Sequence, residues 1–492
     1  MMRLELLLPF DIAPRFANIN VLGMSLDSRE IKSNWLFVAL QGAQLDGRTF
    51  IDKAIQQGAT VILSETKHCA KHGNIKMHAQ IVEILLFKLP YLMSQMAYQF
   101  YFPEKNLHKV IGITGTNGKT TIASLLANAL QLLGIKSAQM GTIGNGLFGH
   151  LKSSLNTTLD AISIFAELAA YQRHGVQYTL MEVSSHGLDL GRVQALPFYS
   201  AIFTNLTRDH LDHHGTMQRY ALAKKRLFTE YSLQQSIINA EDATGKKWLA
   251  ELPDAISYGQ TEDQKHYFSV QNICYNKQGI CFEFHSSWGN GQISAPFYGH
   301  FNVENLSAVL CQLLAEGFSI AQLKKVFLAL DTVPGRMEQY YFAKQDITFV
   351  VDYAHTPDAL EKALQALHQH SEKGRLICLF GCGGDRDTGK RPEMAKMAEK
   401  FANEVILVDD NPRTEQASAI MQDILAGFTQ PQKVRCIHSR EDAIKHALKH
   451  AHAGDIILVA GKGHEDYQII GKLRIHYSDR ELFTALCKKE QT

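Results

Sequence analysis

The sequence predicts an α/β protein of three domains: a small N-terminal α/β domain, a central domain with a parallel sheet behind a phosphate loop, and a C-terminal Rossmann-like α/β domain. Three observations predict this. A chain of 492 residues is too long for one hydrophobic core and divides. Short apolar strands alternate with helical apolar periods along most of its length, the pattern of a largely parallel sheet covered on both faces. Finally, Val110-Ile-Gly-Ile-Thr-Gly-Thr-Asn-Gly-Lys-Thr-Thr121 passes from a strand through a glycine-bearing loop into a helix.

Composition sets the outer limits. Hydrophobic content of 45% and charged content of 20% are ordinary for a soluble globular protein with ample core. A net charge of +1 argues against holding nucleic acid by bulk electrostatics. The opening MMRLELLLPFDIAPRF has an apolar stretch too short for a signal peptide. No apolar run approaches the roughly 20 residues of a membrane helix. Eight cysteines are scattered singly, with Cys378 and Cys382 the only close pair. They show neither zinc spacing nor a disulfide framework, so a reducing cytoplasm is expected.

The first domain is expected over residues 1–88. Trp35–Leu40 and Ala59–Leu63 read as strands and Phe50–Gln57 as a short helix. The polar insert Leu26-Asp-Ser-Arg29 and the turn Gly42–Arg48 leave two readings open, ligand contacts or simple turns. The central domain is expected over 89–333, with strands at Gln139–Ile143, Tyr178–Val183, Tyr199–Phe203 and Ser236–Asn239. Between Tyr267 and Phe284 the period shifts to two, which predicts appended antiparallel strands. Gly299–Asn305 then leads into an apolar helix.

The third domain, 334–492, has strands at Thr348–Asp352, Leu376–Phe380, Val405–Val408 and Ile456–Val459. Each runs at once into a polar loop: Tyr353–Pro357, Gly381–Gly389, Asp409–Arg413 and Gly461–Glu465. Open α/β sheets bind ligands beyond the carboxyl ends of their strands, so four such loops point to a site.

The chemistry centres on the phosphate loop. Gly115 and Gly118 let backbone N–H groups close on an anion, and the helix N-terminus adds positive potential. Lys119 reaches the outer phosphates of ATP or GTP, and the Thr120 hydroxyl holds Mg²⁺. The match to GxxxxGK[ST] is imperfect, because Gly112 and Ile113 stand out of place. Met181-Glu-Val-Ser-Ser-His186 ends a strand of the same sheet, so Glu182 projects toward the phosphates as an oxygen ligand for Mg²⁺, or caps the next helix. Thr204–Gly215 packs three histidines and two aspartates into six residues without zinc-protease spacing; we take His210 as the functional member, near a second metal. Tyr220, Lys224 and Leu227 share one helix face. Lys224 is either a surface lysine or an inward one, unprotonated or carbamylated beside the metal.

With these stretches in view, the chain resembles the Mur ligases over essentially its whole length. The motifs that carry the resemblance are Gly-Thr-Asn-Gly-Lys-Thr-Thr121, Glu-Val-Ser-Ser-His186, Asn-Leu-Thr-Arg-Asp-His-Leu-Asp212, Gly-His-Phe-Asn302, Pro-Gly-Arg-Met-Glu338, Asp-Tyr-Ala-His-Thr-Pro-Asp358, Asp-Asn-Pro-Arg413 and Gly-Lys-Gly-His-Glu465. The resemblance implies ATP- and Mg²⁺-dependent ligation of meso-diaminopimelate to UDP-N-acetylmuramoyl-L-alanyl-D-glutamate, by a cytoplasmic monomer. It implies ATP contacts from Gly115, Thr116, Asn117, Gly118, Lys119, Thr120, Thr121, Asn302, Arg336 and Asp352. Leu26, Ser28, Ala43, Gln44, Leu45, Asn156, Thr157, Thr158, Ser184, Leu190 and Arg192 would hold the UDP-sugar substrate. Arg386, Asp410, Asn411, Pro412, Arg413, Gly461 and Glu465 would hold the diamino acid. Lys224 sits where the family carries its carbamylated lysine, joining Thr120, Glu182 and His210 around metal. Leu159 stands where the family commonly has proline, and Leu190 where some members are polar.

The implied chemistry begins with phosphorylation of the D-glutamyl γ-carboxylate and ends with attack of an amine on the acyl phosphate. His210, His355 and the substrate phosphate are the candidate bases. Water must be excluded meanwhile, because an acyl phosphate hydrolyses. Competing classes are a folylpolyglutamate synthase or cyanophycin-type ligase, a P-loop ATPase driving a partner, and a nucleotide-binding regulator. The Asp-Asn-Pro-Arg loop and the first domain speak against the first, the four C-terminal loops against the second, and the intact Lys119, Thr120, Glu182 and His210 against the third.

Overall fold

The structure is a computed structural model that describes residues 1–42, 45–154, 156–261, 264–276, 278–370 and 374–491. Ala43 and Gln44 of the expected turn lie outside the described residues. The chain forms two units, Met1–Ile256 and Ser257–Thr492.

Besides the short pair Met2–Arg3/Asn20–Val21, the first unit holds two larger sheets. One runs Gly23–Ser25, Trp35–Ala39, Ala59–Thr66, Ile81–Phe87, Ile75–His78, with only the last pair antiparallel. Its inner strands are buried on both faces, and side chains divide by the period of two. Leu36, Val38, Val61 and Leu63 enter one core, while Phe37, Ala39 and Ile62 enter another. The hairpin Ile75–His78/Ile81–Phe87 was not expected from the sequence; its apolar run reads equally well as helix or strand. The helix Leu89–Tyr101 follows, and its Met93, Met96 and Ala97 join the core that also contains Leu36 and Phe165. A continuous core therefore crosses residue 88.

The second sheet of this unit positions the site. Its order is His150–Lys152, Gly144–Leu147, Ser137–Gly141, Tyr178–Glu182, Lys109–Thr114, Ser200–Phe203, Gln235–Asn239. From Ser137–Gly141 onward every pair in that run is parallel. The phosphate-loop strand is thus flanked on one side by the strand ending in Glu182 and on the other by the strand leading to Thr204. Three carboxyl ends from distant parts of the sequence meet at one edge.

In the second unit, His266–Asn276, Gly279–Ser286 and Gly291–Ala295 form the antiparallel meander that the period of two announces. A six-stranded sheet runs Glu338–Phe342, Ile347–Asp352, Ile456–Ala460, Leu376–Phe380, Glu404–Leu407, Arg435–Cys436. Only the first pair is antiparallel. Val350, Leu458 and Cys378 face one core and Val351, Val459 and Leu379 the other, as expected of strands covered by helices on both faces. The α/β class expected from the sequence is present, carried by three predominantly parallel sheets.

Candidate active site

In the first unit the phosphate loop is built on steric necessity. Gly115 takes φ 148°, and a Cβ there would fall 1.8 Å from Thr204 Oγ1. Gly118, at φ 87°, caps the helix Lys119–Leu132. Thr204 and Asn205 hold the loop from the neighbouring strand. Asn205 O accepts from Thr116 N at 2.8 Å, Asn205 Oδ1 from Asn117 N at 3.0 Å, and Thr204 Oγ1 donates to Asn117 O at 2.6 Å. Sequence reasoning passed over Asn205; its signal was its place two residues past a strand end beside the loop. Lys119 Nζ donates to Gly115 O at 3.0 Å and Thr116 O at 2.8 Å.

Glu182 ends its strand fully buried. Its carboxylate accepts from Thr120 Oγ1 at 2.8 Å, from Thr142 N at 2.8 Å and from Thr142 Oγ1 at 3.1 Å. A Cβ on Gly141 would lie 2.1 Å from Glu182 Oε1, so glycine makes room for the carboxylate. Thr142 is a second residue that sequence reasoning missed. A buried carboxylate among neutral donors, with a threonine hydroxyl beside it, is an oxygen donor set that suits a hard divalent cation.

Lys224 is 1% exposed, which excludes the surface-lysine reading. Its Nζ donates to Gly115 O at 2.8 Å and lies 4.6 Å from the Tyr220 ring centroid. Burial first, and then the nearby Lys119, hold its pKa well below the ordinary lysine value. Gly115 O thus receives two lysines. His210 takes φ 51° at the head of the short helix Leu211–His214, with its ring 5.9 Å from that of Tyr220. Burial keeps it below the ordinary imidazole range, and Lys224 and Lys119 add to the effect, so it is neutral near pH 7.

The expected sugar-nucleotide residues fall in two places. Thr157, Thr158, Ser184 and Arg192 cluster beside Glu182: Thr158 Oγ1 donates to Glu182 O at 2.9 Å and Arg192 Nη1 to Thr158 O at 2.6 Å. Thr157 Oγ1 meets Thr142 Oγ1 at 3.1 Å, and Ser184 Oγ accepts from Gly187 N at 3.0 Å. Asn156 and Leu190 are exposed nearby in sequence. Leu26 and buried Ser28 follow the strand Gly23–Ser25, and Leu45 is exposed.

In the second unit Asn302, buried, donates to Tyr298 O at 2.8 Å. Asp352 accepts from the backbone of Met337 and Ala354, each at 2.8 Å. Burial raises the Asp352 carboxyl above the usual range, with Arg336 opposing the shift. The Arg336 guanidinium lies 4.8 Å from the Tyr353 ring centroid. His355 is held below the ordinary imidazole range by burial.

The C-terminal loops converge on a residue that the sequence did not mark, Lys462. It is fully buried and donates to Asp410 Oδ1 at 3.2 Å, Asn411 Oδ1 at 3.4 Å and Glu465 Oε2 at 3.3 Å. Asn411 Nδ2 also donates to Glu465 Oε2 at 3.2 Å. Gly461, at φ 109°, turns the chain beside Asp410. Arg413 follows buried Pro412 at φ 51° and donates from Nη1 to Gly384 O at 2.8 Å. Arg391, also buried, ties Glu415, Asp423 and Gly383 O together beneath it. Arg386 is exposed on the adjoining loop. The structure thus joins Asp410, Asn411 and Glu465 in one network through Lys462, with Arg413 and Arg386 on neighbouring loops.

Three family models match in order along the chain: the Mur ligase family catalytic domain over residues 20–101, the Mur ligase middle domain over 113–313, and the Mur ligase glutamate ligase domain over 335–463. A UDP-N-acetylmuramoyl-L-alanyl-D-glutamate–2,6-diaminopimelate ligase from Haemophilus influenzae is 48% identical over 469 residues, 94% of this chain and 96% of that one. The chain belongs to the Mur ligase family. A ligase of the same description from Vibrio cholerae is also 48% identical, over 95% of this Mur ligase and 94% of its own length. A solved structure of such a ligase superposes with a TM-score of 0.75 at 35% identity, covering 100% of this Mur ligase and 99% of that chain. A Mycobacterium tuberculosis folylpolyglutamate synthase shares the fold at 18% identity and a TM-score of 0.60, over 76% of this chain.

Proposed function

We propose that this Mur ligase joins meso-diaminopimelate to UDP-N-acetylmuramoyl-L-alanyl-D-glutamate in the cytoplasm, forming ADP and phosphate. The observation that carries this reading is whole-length identity of 48% to ligases of that description. Its three roles follow the expected division: residues 1–88 for the UDP end of the sugar nucleotide, 89–333 for ATP, and 334–492 for the amino acid. All eight cysteines are free thiols, in keeping with a reducing compartment. No helix among the described residues is long and apolar enough to cross a membrane. We take the working form to be a monomer.

The reaction has two steps. The D-glutamyl γ-carboxylate oxygen attacks the γ-phosphorus of ATP, and ADP leaves. The diaminopimelate nitrogen then attacks the acyl carbon, phosphate leaves, and the amine proton passes to a base. Lys119, released from the carbonyls of Gly115 and Thr116, spreads the charge on the transferring phosphoryl group with the loop amides. Thr120, Glu182, His210 and Lys224 are the residues that would hold Mg²⁺. That ion would supply positive charge to offset the charge of the phosphates. An amine with a depressed pKa is the species that adds CO₂, so buried Lys224 is suited to become a carbamate with two oxygen donors. Thr157, Thr158, Ser184 and Arg192 position the sugar nucleotide. Asp410, Asn411, Arg413, Gly461 and Glu465 hold the diamino acid, with Lys462 fixing their geometry. Burial holds His355 below the ordinary imidazole range, which suits it to take the amine proton; His210 is the alternative base only where it does not hold the metal.

The test is phosphate release with the UDP-muramoyl dipeptide and each of several diamino acids. Release that requires the nucleotide sugar and is fastest with meso-diaminopimelate is expected. Turnover of ATP without either acceptor would overturn the reading.

A further inference from the structure

The histidine-rich run after Thr204 uses only His210 in the proposed reaction, and the fold does something further with its end. His213 and His214 close the short helix Leu211–His214. Chain folding brings them against Asp189, the last residue of the helix Ser185–Asp189, more than twenty positions earlier. His213 Nε2 lies 2.9 Å from Asp189 Oδ2. One ligand atom from each of Asp189, His213 and His214 lies within 4.8 Å of the other two. His214 is buried and anchored, with Nε2 2.9 Å from Ser185 Oγ, whereas Asp189 and His213 are at the surface. A fourth histidine, His186, has its ring 4.2 Å from that of His213, tilted by 35°. The group opens onto a cleft of about 480 Å³ whose other walls include Arg219, Leu222, Arg226 and Thr229.

We propose that Asp189, His213 and His214 form a binding site for a divalent transition metal, with zinc the ion it fits best. The chemistry of the donors selects the ion. Two imidazoles and one carboxylate are borderline ligands that favour Zn²⁺, Co²⁺ and Ni²⁺ over Mg²⁺, which prefers all-oxygen surroundings. Glu182 and Thr120 supply that oxygen set, so the two places sort the two classes of cation. Bonds of about 2.0–2.1 Å in a tetrahedral site put ligand atoms roughly 3.3 Å apart, so the triad contracts by about 1.5 Å at most. His213 and Asp189 are already closer than that. The rotamer adjustment falls on exposed side chains, while His214 provides the fixed point. Three protein ligands leave the fourth position to water or an anion from the cleft. The carboxylate comes from a different helix, which is why the spacing of the histidines alone does not resemble a metal motif.

The site is tested on untagged full-length protein in excess Mg²⁺ by calorimetric titration with Zn²⁺, and by the visible spectrum on adding Co²⁺. We expect one Zn²⁺ per chain and a tetrahedral or five-coordinate Co²⁺ spectrum. His213→Ala and Asp189→Asn should each weaken binding by about tenfold or more. Both change surface side chains, and circular dichroism checks that they fold. His210→Ala should leave the affinity within about twofold, which separates this site from the one beside the phosphate loop. No binding in excess Mg²⁺, binding indifferent to both ligand variants, or binding lost in His210→Ala would each overturn the proposal.

Discussion

The phosphate loop and the C-terminal loop cluster each surround a fully buried lysine, Lys224 and Lys462, yet they handle charge in opposite ways. Around the phosphate loop like is kept with like. Lys119 and Lys224 share the carbonyl of Gly115, and Glu182 is held by hydroxyls and an amide. In the proposed reaction the reactants would supply the charge compensation there. In the C-terminal cluster every buried cation already has its anion: Lys462 with Asp410 and Glu465, Arg391 with Glu415 and Asp423. The diamino acid proposed to bind there would enter by exchanging partners rather than by supplying missing charge. The first region trades stability for electrostatic readiness, and the second is part of what holds its unit together. Substitutions should therefore separate activity from stability differently in the two places.

The largest effect is expected at Lys119. Lys119→Ala should cost on the order of 10⁴-fold in kcat, comparable with other charge-stabilising groups in phosphoryl transfer. Its melting temperature should change little, because the bonds from Lys119 to the carbonyls of Gly115 and Thr116 are local to the loop. Retention of more than about a tenth of the wild-type rate, a cost under ~1.4 kcal/mol, would remove it from the mechanism.

Lys224→Ala comes next, with a loss of roughly 10³-fold. Acetate or another short carboxylate should restore part of the activity by standing in for the carbamate. Electron density at this residue in a crystal is the direct check. An ammonium turned to solvent would end the assignment.

Arg413 tests what the second cluster selects. Its planar fork can grip the carboxylate that diaminopimelate carries and lysine lacks. Wild type should therefore prefer diaminopimelate by on the order of 10³-fold in kcat/KM, and Arg413→Ala should lose that preference. In the structure Arg413 braces Gly384 O, a purely structural role. A variant that is less stable but equally selective would confine Arg413 to that role.

Lys462→Met tests the comparison from the stability side. It leaves the carboxylates of Asp410 and Glu465 without their shared cation, and unfolding should become easier by about 3 kcal/mol. Denaturant melts of the two lysine variants side by side are decisive. If Lys119→Ala were the less stable of the two, the contrast between the regions would be wrong.

The smallest effect is a pH dependence. Burial, with Arg336 and Arg480 adding to it, pushes His464 down to about 4, and its Nδ1 is buried with no partner among the described residues. The unfolded chain takes up a proton near pH 6.5 that the folded chain refuses until about pH 4. Stability should be full above 6.5 and fall as pH drops through that window, by on the order of 2 kcal/mol. His464→Gln should flatten this part of the profile. An unchanged slope would place the acid sensitivity elsewhere.

Much of this was legible before any coordinates. The strand–loop–helix at Val110–Thr121 declares itself because its glycines, lysine and apolar periods are local. The inward face of Tyr220, Lys224 and Leu227 follows from helical spacing, and all three are buried. Spacing could not distinguish a buried lysine from an exposed one at that position, since the partner surface is a carbonyl 109 residues away. Asn205 and Thr142 were missed because each acts through a neighbouring strand end. Lys462 was hidden inside a glycine-flanked loop, where lysine is ordinarily solvated.

The sequence by itself determined the α/β class, the positions of most strands, and the order of the catalytic stretches. These depend on hydrogen bonding and apolar periodicity within a few residues of each position. Only the tertiary structure decided which strands became neighbours, and with them which charges were buried together. Glu182 stands beside Thr120 because the strand Tyr178–Glu182 pairs with Lys109–Thr114, and Asp189 meets His213 because their two short helices both pack against the helix Met217–Thr229. Such meetings join residues twenty to a hundred positions apart. They are set by the packing of whole elements, and the free energy of a buried charge depends on all of its neighbours at once.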